Sequence, residues 1–309
     1  RALATGNCHL ALRTRAERLV TDSSGRVTGV ALIDGDLGRR TVQAEQVIVA
    51  AGAIETARLL LGSRSDREPD GIGNNHDQVG RNLQGHVYSG AVGIFADVVQ
   101  TAIGPGPTIS TNDFRHGNPG LIGGGMLAND FVTSPINSYG MLTRLGLAAR
   151  WGSQGKTDMR HAYSRASQVM GPLQESPNPE SRVTLSDQVT DSLGIPAVRL
   201  SGRVLDCDRP TSEFMADRAA EWLRASGAVR VVRMAGIGSG PSGGQHQAGT
   251  CRMGADPRTS VVDPQGRVWG HSNLRLADGS VHVTNGGVNP VLTIMANAYR
   301  IADLMLRDG

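Results

Sequence analysis

Three short pieces decide how this chain is read: Gln-His-Gln-Ala-Gly-Thr-Cys-Arg-Met-Gly at residues 245–254, Leu-Ala-Asp-Gly-Ser at 276–280, and Asn-Gly-Gly-Val-Asn-Pro-Val-Leu-Thr at 285–293. Asn289-Pro290 is a helix start, because Asn is a favoured N-cap and Pro suits the first helical position. Apolar residues recur at Val291, Met295, Ala298, Ala302 and Met305, which predicts a helix to about Arg307 with that face buried. Gly286 and Gly287 before it permit close approach of a ligand, and the free N–H groups of a helix start suit an anion. His246 lies between Gly243, Gly244 and Gly249, in a loop that lets a ligand come near. Its ordinary pKa of about 6.5 suits general base work near neutral pH.

In this order and spacing the three pieces resemble the C-terminal half of the glucose–methanol–choline family of flavin oxidoreductases. The resemblance implies oxidation of an alcohol by hydride transfer to flavin N5, with His246 as the base and Asn289 as its partner on the substrate oxygen. It implies FAD as cofactor, with Ala51, Gly52, Asp278, Gly279, Asn289, Pro290 and Thr293 against it. A reduced flavin carries its negative charge on the pyrimidine side, which fits the helix start at Asn289-Pro290. The forms Gly-Thr-Cys-Arg-Met-Gly and Gly-Gly-Val-Asn-Pro are most like the branches that act on sugars and polyols. Asn289 as a cap only, and Asp278 as a plain turn residue beside Gly279, are the competing structural readings. The same fold also hosts hydroxynitrile cleavage, so a lyase is a further possibility.

Outward from this segment, residues 46–52, Gln-Val-Ile-Val-Ala-Ala-Gly, form an apolar strand and a glycine turn, followed by a helix over Ile54–Leu61. So apolar a strand is expected inside a sheet with neighbours on both edges. By resemblance the turn at residues 50–53 touches the cofactor, as strand ends do in α/β folds. Before it the sequence predicts strands at Leu10–Arg15 continuing through Ala16–Val20, then at Val27–Ile33 and Arg39–Ala44, with a turn at Gly25. Residues 79–86, Val-Gly-Arg-Asn-Leu-Gln-Gly-His, are similar to the family's link between its two domains, with Gly85 where the family usually has Asp. His86 is read as structural.

Residues 87–175 are hard to read. Gly104-Pro-Gly-Pro107 and Gly123-Gly-Gly125 mark turns there. Residues 175–185 are again similar to the family and lead to a hairpin, Arg182–Leu185 with Ile195–Leu200, closed across residues 191–194. A helix follows from Thr211 to Ser226, with Met215, Ala219, Trp222 and Leu223 on its buried face and Gly227 as its stop. His116, His161, His271 and His282 have no motif around them and are read as surface or structural.

The fold class is therefore α/β (α+β): residues 1–86 as part of a Rossmann-like FAD-binding domain, 87–240 as a substrate domain with an antiparallel sheet, and 241–309 as the return to the first. No GxGxxG with an acidic residue about 20 positions later is found. Arg1 thus corresponds to the middle of a family member, and an N-terminal FAD-binding half or a partner subunit is expected to complete the protein. A non-catalytic fragment or assembly subunit, unable to hold FAD alone, is the alternative. Loss of the missing strands is expected to expose a sheet edge and an apolar patch.

Composition fits these readings. Of 309 residues, 39% are hydrophobic and 19% charged, so the chain is globular rather than disordered. The 41 glycines and 4% aromatics suit a loop-rich protein. A net charge of +3 without a dense Lys/Arg run argues against a nucleic-acid surface. No apolar run approaches the roughly 20 residues of a bilayer span. Cys8, Cys207 and Cys251 show neither CxxC nor zinc spacing, so no metal site and no disulfide framework are expected. The sequence leaves open the alcohol, the electron acceptor and the compartment, cytoplasm or periplasm.

Overall fold

A computed structural model of the chain describes residues 1–35, 38–101, 106–130, 134–242 and 245–308; Gly243, Gly244 and part of the expected turn at residues 104–107 fall outside these. The first elements are β1 (Thr14–Thr21), β2 (Val27–Asp34), β3 (Gly38–Gln43), β4 (Val47–Val49) and α1 (Gly52–Gly62). Then come β5 (Val87–Ile94), β6 (Ser110–Thr111), β7 (Leu127–Asn129), α2 (Pro135–Arg144), α3 (Gly152–Ala162) and β8 (Ala166–Leu173). The last are β9 (Arg182–Thr190), β10 (Pro196–Ser201), α4 (Arg209–Ala225), β11 (Arg230–Met234), β12 (Leu274–Leu276) and α5 (Val291–Asp308).

β1, β2 and β3 form an antiparallel meander. Val27, Gly29 and Ala31 of β2 are buried and the residues between them less so, which is the period of two expected for a half-buried strand. The expected strand at Leu10 is absent. Arg13 has φ of 54°, which breaks an extended run, and Leu10 and Leu12 lie exposed ahead of β1. Asn273 ties the meander to the last strand, its amide donating to the carbonyls of Val27 and Glu45 at 2.7 and 2.8 Å.

β4 pairs in parallel with β12, Val47 opposite Leu274 and Val49 opposite Leu276, and all four side chains are buried beneath α1. The expectation of neighbours on both edges does not hold. Among the described residues β4 has β12 alone as partner, and Ile48 is 43% exposed. Beside this open edge lies an apolar groove of about 650 Å³, walled by Leu10, Leu32, Val42, Ile48 and Leu59.

The middle of the chain builds a five-stranded antiparallel sheet in the order β11-β5-β8-β7-β6. β5 pairs with β8 along its full length, Val87 opposite Leu173 and Ile94 opposite Ala166. Its two faces are both covered. Val87 and Ala91 pack with Met215, Ala219 and Leu223 of α4, as the helical spacing of those residues predicts. Val92 faces the other way, towards Leu142 of α2 and Ala162 of α3. The β9–β10 hairpin forms as expected, Leu185 opposite Val198. Gly123-Gly-Gly125 is not merely a turn. A Cβ on Gly124 would lie 2.0 Å from the Phe114 carbonyl oxygen, and one on Gly287 would lie 2.4 Å from the Gly124 carbonyl oxygen. These glycines let the loop before α5 press against the edge of the sheet, where the Met126 amide donates to the Gly287 carbonyl at 2.9 Å.

α5 starts within two residues of the expected place, but its expected buried stripe faces outward. Ile301 is fully buried, close against Gly266, while Val291 and Met295 are more than half exposed beside Leu292 and Tyr299. The helix is anchored through Ile301 and leaves Val291, Leu292, Met295 and Tyr299 exposed. No helix among the described residues is long and apolar enough to cross a membrane.

Candidate active site

Residues 79–86 run as an irregular strap between the start of β9 and the loop at 248–250. The Gly80 amide donates to the Thr250 carbonyl at 2.7 Å and the Leu83 amide to the Ser181 carbonyl at 2.8 Å. Gln84 and Ala248 exchange both backbone bonds, at 3.1 and 2.8 Å. The strap therefore delivers residues 84–88 to the loop that carries His246.

His246 has φ of 65°, the left-handed region, where a non-glycine residue persists only if its surroundings hold it. Asn285 holds it, its amide donating to the His246 carbonyl and, at 3.3 Å, to the Gly85 carbonyl. Gln84 steadies Asn285 in turn, accepting from its backbone amide at 3.1 Å and donating to the Val283 carbonyl at 3.2 Å. The imidazole so placed has Nε2 3.3 Å from Asn289 Nδ2 and Nδ1 2.8 Å from His86 Nδ1. The hydroxyl of Tyr88 lies 3.4 Å from the same Nδ1 and donates to Gln245 Oε1 at 3.3 Å. Burial holds His246 below its ordinary pKa, so it is neutral at neutral pH and able to take a proton. Burial and the neighbouring His246 push His86 down to about 4.

Asn289 and Gln245 stand at the rim of a cavity of about 460 Å³. Tyr88 of β5, Ala128 of β7 and Met170 of β8 line it further in. The cavity thus lies between the expected substrate domain and the C-terminal segment. Burial and the nearby Asp130 carboxylate raise the Tyr88 hydroxyl above its usual pKa.

The residues expected against a cofactor also meet. Asp278 is buried, and its carboxylate accepts from the Gly52 amide at 2.9 Å, the Thr56 hydroxyl at 2.5 Å and the Ser280 amide at 2.7 Å. It therefore clasps the turn at Ala51-Gly52 to the turn at Gly279-Ser280. Gly279 reaches the first turn of α5, where a Cβ would touch Ile294 at 3.4 Å and the Gln247 carbonyl at 3.0 Å. Ala51, Asn289 and Thr293 are exposed and Pro290 is buried behind them. The starts of α1 and α5 and the His246 loop thus form one neighbourhood.

Asn285, Gln84 and Tyr88 were given no role by the sequence reading, and His86 was read as structural. His86 ends a stretch that was recognised, but nothing local shows that it meets a residue 160 positions away. The doubt at Gly85 has a physical answer. A Cβ there would lie 2.8 Å from the Ser242 hydroxyl and 2.9 Å from its carbonyl oxygen, so a side chain has no room. The carboxylate nearby comes from Glu175, which accepts from the Gly85 amide at 3.1 Å.

Burial pushes the Glu175 carboxyl up to about 7 against the opposing bonds from Gly85 and Ser242. A carboxyl raised on folding stabilises the fold fully below its unfolded pKa and loses that contribution as pH rises through the folded value. Stability is expected to fall between about pH 4.5 and 7 on this account, by up to roughly 3 kcal/mol. Glu175→Gln keeps an acceptor for Gly85 and cannot ionise. It is expected to melt higher than the parent at pH 8 and to match it near pH 5. Equal melting temperatures at both pH values would show that the carboxyl ionises without cost.

Comparison with known proteins follows the same outline. Two family models described as GMC oxidoreductase match residues 1–88 and 177–298. A 2-methyl-1,2-propanediol dehydrogenase of Mycolicibacterium austroafricanum is 32% identical over 99% of this chain and 55% of its own length. The fructose dehydrogenase large subunit of Gluconobacter japonicus is 30% identical over 93% of this chain and 52% of its own. A 6'''-hydroxyparomomycin C oxidase of Streptomyces lividus is 35% identical over 94% and 51%. The chain spans about half the length of these relatives. Among solved structures, pyridoxine 4-oxidase from Mesorbium loti shares the fold over 94% of this chain and 57% of its own, with a TM-score of 0.60 at 17% identity.

Proposed function

We propose, from the premise that this chain belongs to the GMC oxidoreductase family, that it carries the base and the substrate cavity of an FAD-dependent enzyme oxidising alcohols of sugar or polyol type. The observation that carries the reading is the pairing of His246 Nε2 with the Asn289 amide at 3.3 Å on the rim of the 460 Å³ cavity. The relatives support the substrate class by their names: a 2-methyl-1,2-propanediol dehydrogenase, a fructose dehydrogenase subunit and a 6'''-hydroxyparomomycin C oxidase. We assign residues 1–86 and 241–309 to the cofactor domain and 87–240 to the substrate domain.

The residues fit the cofactor. Where a Cβ would point, Gly52 and Gly286 have open space, and Ala51, Asn289 and Thr293 present exposed surface around them. The start of α5 suits the negative charge of a reduced ring, while the start of α1 already faces the Asp278 carboxylate. When bound, FAD would supply the acceptor for the hydride, with its two electrons, that leaves the carbinol carbon. His246 Nε2 takes the hydroxyl proton as that bond breaks. The Asn289 amide donates to the same oxygen and fixes its distance from the base. Met126, Ala128 and Met170 give the cavity an apolar wall. A further FAD-binding element, on the same polypeptide or a partner, would cover the open edge of β4 and the outward stripe of α5, which otherwise expose large apolar surface.

The test is a panel of sugars, polyols and simple alcohols added anaerobically to the complete flavin-loaded protein. Bleaching of the visible flavin band by a polyol or sugar is the expected result. Bleaching by none of the panel would sink the reading. Asn289→Ala is expected to slow bleaching, and Asn289→Ser, which keeps a side-chain oxygen two residues before α5, should not restore it. Full recovery with Ser would reduce Asn289 to a helix cap.

A further inference from the structure

His86 Nε2 lies 3.0 Å from the carbonyl oxygen of Gly286, an atom that can only accept. His86 Nε2 must therefore carry a hydrogen; the other tautomer would set two lone pairs against each other in a buried place. Burial and the adjacent His246 disfavour a second proton on the ring. The neutral ring then presents a bare Nδ1, and the group facing it at 2.8 Å is His246 Nδ1. Two bare nitrogens at that distance repel, so the hydrogen sits on His246 Nδ1 and points at His86.

We infer that His86 is a positioning residue that holds His246 in its Nδ1–H tautomer and so turns a bare Nε2 towards the substrate cavity. The inference rests on the proposed role of His246 as the base. Two other contacts agree with it independently. The Asn289 amide nitrogen, a donor, faces Nε2 at 3.3 Å, which requires a lone pair there. The Tyr88 hydroxyl gives its hydrogen to Gln245 and so turns its oxygen, an acceptor, to Nδ1–H. The chain of donors runs one way, from Asn289 into His246, from His246 into His86, and from His86 into the Gly286 carbonyl. The Gly286 carbonyl is the anchor, and it belongs to the loop that also presents Asn289.

The arrangement also serves the charged form. When Nε2 takes a proton from the substrate hydroxyl, His246 becomes an imidazolium with hydrogens on both nitrogens. Its bond to His86 Nδ1 is then charge-assisted and stronger, with no proton moving to His86. A neutral imidazole here plays the orienting part that a buried carboxylate plays in other catalytic constellations.

The proton placement is read from long-range 1H–15N correlations of the ring nitrogens in the full chain labelled with 15N-histidine at pH 8. His246→Gln and His86→Asn assign the two rings. Protonated Nδ1 and bare Nε2 on His246, with the opposite pattern on His86, is the expected result. A bare Nδ1 on His246 overturns the inference. His86→Asn keeps an acceptor oxygen in place of Nδ1 and should keep the His246 tautomer. His86→Leu removes the acceptor and should give a tautomer mixture, with kcat lowered on the order of 10- to 100-fold and KM little changed. A Leu variant whose His246 keeps a single Nδ1–H form also overturns it. The parent spectrum decides even if the Leu variant fails to fold. Failure of the functional reading is separate: the expected spectrum with no alcohol bleaching the flavin overturns the activity and still supports the proton placement.

Discussion

His246→Ala is expected to lower the rate of alcohol oxidation on the order of 100- to 10,000-fold while leaving the flavin bound. On the proposed mechanism the hydroxyl loses a proton as the carbon loses hydride, and His246 Nε2 lies 3.3 Å from Asn289, which lines the cavity. Flavin binding should persist because the contacts expected to hold it lie on other segments, at Ala51-Gly52, Gly279 and the start of α5. The loss should be greatest in kcat, since the proton moves only in the transition state. The pH profile gives a second check. Burial lowers the His246 pKa, so in the parent the rate should stay high through neutral pH and fall only below the ordinary histidine value. That acid limb should vanish in the Ala variant. An Ala variant with parental rates at pH 7.5, or one that keeps the acid limb, would remove His246 from the mechanism.

How much of this was legible beforehand depends on how local each signal is. The β1–β3 meander, the β9–β10 hairpin and α4 were legible because each is made by residues close in the chain, with alternation or helical spacing intact. α4 buries Met215, Ala219 and Leu223 of the residues its periodicity selects and half-buries the fourth, Trp222. The five-stranded sheet was not legible. Its central pair joins residue 87 to residue 173, and β6 and β7 are two and three residues long, too short to show a period. The glycines at 124 and 287 read as turns because nothing local shows that another backbone passes within contact distance. For β4 and α5 the apolar patterns correctly marked surfaces that call for cover, but a pattern cannot say whether the cover is present. At the site, His246, Asn289 and Asp278 could be named because they sit in spaced motifs. His86 could not, since its chemistry comes entirely from a contact made across the strap.

Asp278 makes contacts that its motif does not name. The motif places it against the cofactor, but all three of its close contacts are internal, to Gly52, Thr56 and Ser280. Thr56 also accepts from the Ala51 amide at 3.1 Å, so the clasp reaches the turn through a second route. Asp278→Ala strands two buried amides and a hydroxyl at once and leaves a cavity beside them. Hydrogen bonds to charged groups contribute about 1.5–3 kcal/mol each, and the three share one carboxylate, so a loss of roughly 3–5 kcal/mol is expected. Denaturant unfolding followed by circular dichroism measures it. Flavin affinity should fall with it, because the Ala51-Gly52 turn is no longer held against Gly279. Asp278→Asn separates the clasp from any direct effect of charge. Its amide oxygen still accepts on one side, while its NH₂ faces the hydrogens of Gly52 or Ser280 on the other. The Asn variant should therefore lose stability and flavin affinity together, each by less than the Ala variant. An Asn variant as stable as the parent but unable to hold flavin would instead mean that the carboxylate acts on the cofactor directly. An Ala variant that unfolds at the parental midpoint would mean that the two turns are held by something other than Asp278.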